Sequence, residues 1–419
     1  MLSKINAFSA KYLIAYYFLL SSMDGLFLML GMPSLVKLNM IMVLMAIPIA
    51  MEQLLKKRRG IDWFIFGFII IVTISSLCIH YDSVLFYFGF RYQLLLMLLF
   101  WVGESRYMAD WKLFDKAKIP IVVTAIMGLV LFFFPPDWYI SYKFSARDKG
   151  TDEFFLELTR LSAFWIYPYW ISYGCGILYY YILCRLYMLG KSIRKKEVWL
   201  MCFLLLIIIL SQQRAPFFFV LMSTVILGIV SLKGQSERQK YFRNRIVLMV
   251  LILSCSSYFL ISFLDTERLD FMLDKVVALN SGGNDNFIER RFKMFSDVGG
   301  GGGFTLFGQG IGRFSHAAYN LGKLAVTDNQ IYAIYLETGY VGCIGYALII
   351  GAVLIKGMKQ FKYNIFELGI VLFYLMAMTG ANPLNIEQEH TLVFWICCGR
   401  IFNKDCLAYK KAELGRIRN

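Results

Sequence analysis

Five arginines stand at positions that the positive-inside rule disfavours, so each needs a reason. They are Arg160 in TRLSAFWIYPYW, Arg214 in SQQRAPFF, Arg290 and Arg291 ahead of a five-glycine run, and Arg313 just after Gly308-Gln-Gly310-Ile-Gly312. Guanidinium forks bind phosphate oxygens bidentately and keep their charge at any relevant pH, so collectively these residues suit an anionic, phosphate-bearing ligand. For any one of them, snorkelling or pairing with Asp152, Glu157 or Glu289 is the plainer account. Arg214 is the best single case, because a turn of only SQQR leaves it little freedom and Pro216 opens the next helix. Further on, TDNQIYAIYLETGYVGCIGY (327–346) places Asp328, Tyr332, Tyr335 and Gly339 at helical spacing on one face, with Glu337 on another. Thr327 or Asp328 can cap this helix, and Asp328 equally suits a general base; His316 is the alternative base. Gly339, Gly342 and Gly345 are spaced to allow close helix approach.

Between these groups lies VGGGGGFTLFGQGIGR (298–313), which invites comparison with a phosphate-cradling loop. No Gly-Lys-Ser/Thr follows the glycines, and no βαβ unit surrounds them, so neither a P-loop nor a dinucleotide fold fits. A pliable hinge between Arg290/Arg291 and the Asp328 helix is the expectation instead.

The elements that must position these groups follow from composition. The chain has 419 residues, of which 58% are hydrophobic, and its mean hydropathy is positive. A soluble domain is only about 45–50% apolar. Apolar stretches at 12–31, 38–55, 62–80, 84–103, 118–135, 161–184, 197–211, 215–232, 246–264, 328–355, 365–380 and 390–403 are mostly near the ~20 residues a membrane helix needs. The expected fold is therefore all-α: one membrane-embedded domain over 1–419 with about twelve transmembrane helices and both termini cytoplasmic. Its large outer loop, 265–327, falls between helices nine and ten. Alternate loops such as KKRR (56–59), GKSIRKKE (190–197) and KGQSERQKYFRNR (233–245) hold about 29 of the Lys and Arg residues, against about 13 on the other side. The net charge of +15 is thus explained by the positive-inside rule and not by nucleic-acid binding. The first apolar stretch lacks a small-residue cleavage site and is expected to stay as helix one. The nine cysteines lie in or beside spans or in the basic tail, which implies no disulfide framework.

Two ionisable groups lie inside expected spans. Asp24 in helix one and Arg91 in helix four are each about seven residues, or roughly 10 Å, below the outer end, a depth at which they could pair.

These features together resemble the bacterial O-antigen and capsule polymerases of the Wzy type, relatives of the O-antigen ligases. The resemblance rests on Arg291 with Phe295, Gly308-Gln-Gly310-Ile-Gly312, Asp328-Asn329-Gln330 with Tyr332, Glu337, Gly339 and Gly342, and on SQQRAPF and RLSAFWIYPYW upstream. The family often has Gly and Asn where this chain has Ala163 and Tyr169. The ligases usually carry His-Asn where Asp328-Asn329 stands, which puts polymerase ahead. The resemblance implies glycosyl transfer from an undecaprenyl-pyrophosphate-linked glycan to a sugar hydroxyl of another lipid-linked repeat unit. It places the reaction at the outer face of the cytoplasmic membrane, facing the periplasm or exterior. Pyrophosphate is the leaving group, so no nucleotide, metal or other cofactor is expected. Arg160, Arg214, Arg290, Arg291 and Arg313 would bind the pyrophosphate, Asp328 would be the base and Asn329 would orient it or the acceptor. Trp165, Tyr167, Tyr332 and Tyr335 could stack on sugar faces, and a chain-length regulator is a candidate protein partner. The rivals are ligase-type transfer to another acceptor and, from a different class, a lipid-linked sugar flippase or secondary transporter. Transporters tend to show repeat symmetry and interrupted helices, and the chain has no convincing internal repeat.

Overall fold

The structure is a computed structural model and describes residues 2–32, 40–56, 59–79, 81–145, 160–164, 169–189, 195–232, 239–247, 305–315, 318, 329–384 and 391–418. Among these the regular structure is entirely helical. In chain order the helices are α1 Leu2–Met29, α2 Met40–Leu55, α3 Gly60–Cys78, α4 Ser83–Gly89, α5 Leu99–Glu104, α6 Lys118–Phe133 and α7 Asp137–Ser145. They continue with α8 Tyr169–Leu189, α9 Lys195–Ser211, α10 Arg214–Leu232, α11 Gln330–Lys359, α12 Phe361–Ala377, α13 Thr391–Phe402 and α14 Lys404–Arg418. Among the described residues each apolar stretch expected to span is helical in part: in 161–184 the helix begins only at Tyr169, and of 246–264 only residues 246 and 247 are described.

Six segments among the described residues are long and apolar enough to cross a bilayer: Ser3–Met29, Gly60–Cys78, Ser83–Glu104, Lys112–Phe133, Arg214–Leu232 and Gln330–Lys359. Their outward faces carry bare apolar side chains, such as Ile74, Ile119 and Ile229, a surface that suits acyl chains and not water. The chain is accordingly a membrane protein. The remaining apolar helices are shorter, as in α2 and α13, or richer in tyrosine, as in α8.

The chain divides into two compact units, Met1–Val123 with Gly302–Asn419, and Thr124–Gly301. In the first, α5 and α13 cross with their backbones in contact. A Cβ at Gly103 would overlap the Ile396 carbonyl, and one at Gly399 would overlap the Phe100 carbonyl, so only glycine fits at either position. Helix α11 packs on α3, α12 and α13, and α1 packs on α2. In the second unit, α8 is buried along nearly its whole length and packs on α9 and α10. A Cβ at Gly176 of α8 would lie 3.5 Å from the Pro216 ring, an ordinary packing distance.

Helix four is not one regular helix. Between α4 and α5 the chain forms a π turn, Phe90–Leu94, and a 3-10 turn, Leu95–Leu98. Single π turns inside helices re-aim side chains, often at functional positions. Here the π turn carries Arg91 and the buried Gln93. Asp24, in α1, is also buried.

Candidate functional site

In the first unit the features gather around an interruption in α11. Gly339 has φ 64° and ψ −160°, outside helical geometry, and breaks the ladder between Leu336 and Val341. An unbroken helix would join the carbonyls of Leu336 and Glu337 to the amides of Tyr340 and Val341. Instead the Leu336 carbonyl accepts from Gln309 N–H and the Glu337 carbonyl from Gly310 N–H, each at 2.9 Å. The stranded amides of Tyr340 and Val341 donate to the Thr305 and Leu306 carbonyls at 3.4 and 3.1 Å. The segment 305–310 is therefore spliced into the helix and satisfies all four orphaned backbone groups, which non-helical backbone at membrane depth must have.

The glycines make this splice sterically possible. Gly308, Gly310 and Gly312 all have φ between 72° and 98°, which glycine adopts without penalty. A Cβ at Gly308 would lie 2.5 Å from Glu337 backbone atoms, and one at Gly312 would overlap the Leu85 carbonyl. On the α3 side, Ser76 Oγ accepts the Ile311 N–H at 3.2 Å. The expectation of a pliable hinge fails for 308–312: the turn is clasped by α3, α4 and α11. The rest of the expected hinge, 298–304, lies outside the described residues.

Glu337 pins the turn from within. It is fully buried, accepts the Phe314 N–H at 2.9 Å through Oε1, and accepts the Gln93 side-chain amide through Oε2. Arg313 is half-buried between Gly312 and Phe314. At the entrance to α11 the N-cap is Asn329, whose Oδ1 accepts Tyr332 N–H at 3.0 Å; neither Thr327 nor Asp328 fills that position. The cap selects Asn329 because its backbone is extended while the next residue already turns. Next to it, the buried Gln330 accepts the Leu384 N–H at 3.1 Å, tying α11 to the α12–α13 connection. Tyr332 and Tyr335 are stacked at 6.3 Å, and Tyr335 meets Tyr340 edge-on at 5.5 Å. Of the three glycines expected to allow helix contact, Gly345 admits the Phe68 ring of α3, whereas Gly339 packs on the spliced turn and Gly342 on Thr338 of its own helix.

In the second unit, the two arginine segments are fastened to each other. Leu161 N–H donates to the Leu210 carbonyl at 3.0 Å, which brings the Arg160 segment to the end of α9, one short turn before Arg214. That turn is as tight as SQQR requires: α9 ends at Ser211, Gln212 takes φ 54°, and Arg214 opens α10 with its side chain exposed. Ala163 takes φ 52°. Among the described residues Ala163 and Gln212 are the non-glycines with positive φ, and each lies within three residues of one of these arginines. Such backbone conformations cost on the order of 1–3 kcal/mol and concentrate at functional turns. Arg160 is half-buried, and its Nε finds no hydrogen-bond partner among the described residues.

A third cation, Lys143 of α7, carries no sequence signature of its own. It is 3% exposed, donates to Ser162 Oγ and lies 5.4 Å from the Tyr139 ring. Tyr139 Oη donates to the Ala163 carbonyl at 2.8 Å, so α7 braces the strained residue from one side, and Gly128 of α6 meets it from another. Burial pushes the Tyr142 phenol up from its ordinary value, which keeps it neutral beside Lys143 in sequence. Arg290, Arg291, His316, Asp328, Trp165 and Tyr167 lie outside the described residues. Sequence reasoning misses Gln93 and Lys143 because each acts on a residue far away in the chain. The only local signal is a polar residue within an apolar run for Gln93, and a lysine on an aromatic helix for Lys143. No protein-family model matches the chain, and no curated protein matches it.

Proposed function

We propose that the chain is a membrane glycosyltransferase that polymerises undecaprenyl-pyrophosphate-linked repeat units into O-antigen or capsular polysaccharide. The reaction takes place at the outer face of the bacterial cytoplasmic membrane. The observation that carries this reading is the Leu161–Leu210 hydrogen bond, flanked by left-handed Ala163 and Gln212, which draws the Arg160 and Arg214 segments together. Arg160 and Arg214, carried on segments joined in this way, suit the two phosphates of a pyrophosphate. In the transfer, an acceptor sugar hydroxyl attacks the anomeric carbon, its proton passes to a carboxylate, and the bond to pyrophosphate breaks. Arginines stabilise the charge that the departing pyrophosphate acquires, an effect worth several kcal/mol in a partly dry site. Asp328 is the proposed base. Asn329 has its Oδ1 engaged in the helix cap and offers its amide N–H groups to the acceptor. By the resemblance, Arg290, Arg291 and Arg313 are proposed as further pyrophosphate ligands, and Tyr332, Tyr335 and His316 as acceptor contacts. No cofactor enters this scheme, and a chain-length regulator is the proposed protein partner.

One observation favours the transporter reading, namely the interrupted helix at Gly339. In transporters such breaks leave backbone groups for a substrate, whereas here segment 305–310 occupies all four. The glycan profile of a deletion strain separates the readings. Single repeat units without long chains are the expected outcome. Full-length polymer stranded on lipid would indicate a ligase, and absence of outward-facing repeat units would indicate a flippase.

A further inference from the structure

At the other end of α3 and α11 from the glycine turn, the first unit holds a cavity of about 550 Å³. Its polar lining consists of Arg59, Lys356, Gln360, Asn403, Lys404 and Lys411, so it carries four cationic side chains and no carboxylate. Arg59 Nη1 is held by Glu104 at 2.9 Å and by the Phe402 carbonyl at 2.6 Å, which fixes the guanidinium in the wall. Lys356, Lys404 and Lys411 make no ion pair among the described residues. Neighbouring cations of the same unit do: Lys56 and Arg106 with Glu52, Lys112 with Glu413, Lys118 with Asp115, and Lys410 with Glu367. The positive-inside rule accounts for lysines at this end, but not for three of them around one concavity without counter-charge.

The cavity also has a built frame. Asn403 caps α14, its Oδ1 accepting Cys406 N–H at 3.0 Å while its Nδ2 donates to the Gly103 and Ser105 carbonyls. The first two turns of this 15-residue helix run along the cavity wall. Lys404, Leu407, Ala408 and Lys411 form one face of α14, so apolar groups lie between the cations, and Ile401 and Phe402 extend that apolar floor. A neighbouring face of the helix is anchored by the buried Lys410, which binds Glu367.

We propose that this cavity binds a phosphate group, carried either by the headgroup of an anionic phospholipid or by a small soluble phosphate. The site lies at the termini of spanning helices, where basic pockets meet headgroups. It is independent of the glycosyl-transfer reading, since none of its residues belongs to that scheme.

The test uses the full chain purified in an uncharged detergent. Retention of phosphatidylglycerol, phosphatidylcholine and inorganic phosphate is measured by native mass spectrometry and by ligand-induced shifts in thermal unfolding. Selective retention of phosphatidylglycerol that millimolar phosphate does not displace supports the lipid source. Stabilisation by inorganic phosphate alone supports the soluble source. Neutralising Lys356, Lys404 and Lys411 together as Gln should weaken binding on the order of 100-fold, while replacing all three with Arg retains it. Replacing the exposed Lys195 and Lys196 with Gln should leave binding unchanged. Equal retention of phosphatidylglycerol and phosphatidylcholine by the native chain, with no shift from phosphate, overturns the proposal whether or not the variants fold. Undiminished binding by the folded triple Gln variant also overturns it.

Discussion

Phe314 donates its backbone N–H to Glu337 Oε1 at 2.9 Å, and Gln93 donates its side-chain amide to Glu337 Oε2. One buried carboxylate thus joins the segment after the glycine turn to the π turn that follows α4. Replacing Glu337 with Ala leaves both donors buried without an acceptor and should cost about 2 kcal/mol, since each unsatisfied buried donor is expensive. Glu337→Gln keeps an acceptor oxygen for Phe314 and should cost less. Thermal unfolding in detergent measures both, and an unaltered midpoint for Glu337→Ala would remove the pinning role.

The splice at Gly339 makes a second prediction. An alanine there must hold φ 64° and place its Cβ 2.5 Å from the Thr305 and Leu306 carbonyl oxygens. Gly339→Ala should therefore destabilise by about 2 kcal/mol or more. Gly351 sits in the same helix, and an added methyl group would meet no atom within 4 Å, so Gly351→Ala should be neutral or stabilise by up to about 1 kcal/mol. Equal effects from the two substitutions would mean that the loop does not complete the helix. Limited proteolysis after residue 305 gives an independent readout, with faster cleavage expected for Gly339→Ala alone.

These two predictions also mark where the sequence can be read and where it cannot. The helices at 60–78, 214–232 and 330–359 are legible because a bilayer demands a long apolar run, and such a run is a local property. The Arg214 turn is legible for a similar reason, with four residues and a proline leaving little latitude. The glycine turn reads as a hinge in sequence because glycine serves flexible and tightly packed backbone alike, and only contacts with Leu85 and Glu337 distinguish them. The cap falls on Asn329, one residue past Asp328, because helix ends depend on backbone angles that neighbouring polar residues share. Gln93 and Lys143 are invisible because a π turn and a loop contact bring each to its partner.

Buried charge gives a third prediction. Glu367 accepts from Arg400 Nε at 3.0 Å and from Lys410 Nζ at 2.6 Å, with all three side chains almost wholly buried. Glu367→Gln would leave two cations facing a neutral group and should destabilise by about 3–5 kcal/mol, as removing one partner of a buried pair does. Adding Lys410→Met should recover part of that loss. A double variant no more stable than Glu367→Gln alone would show that Lys410 does not depend on this carboxylate.

Ala163 yields a prediction opposite in sign to the usual rule. Gly for Ala ordinarily costs stability in regular structure, but at φ 52° glycine relieves strain that alanine bears. Ala163→Gly should be neutral or stabilise by up to about 1 kcal/mol, whereas Ala163→Val should destabilise, because its branched side chain tolerates positive φ poorly. Denaturant midpoints for the pair decide the matter, and a clear loss from Ala163→Gly would contradict the left-handed backbone.

Arg214 carries the sharpest functional prediction. Its side chain is exposed at the start of α10, and no hydrogen bond holds the fold through it among the described residues, so Arg214→Ala should insert and unfold like the parent. Under the pyrophosphate scheme the same change should lower polymer formation on the order of 100-fold or more, the scale of losing one charge-stabilising donor. Arg214→Lys separates two modes of binding. If a bidentate fork is needed, lysine should restore only a small part of the activity, because an ammonium offers a point charge without the planar pair of donors. Chain-length profiles at matched expression read out both variants. Near-normal polymer from Arg214→Ala would remove this residue from the phosphate site, while full activity from Arg214→Lys would retain the charge and discard the fork.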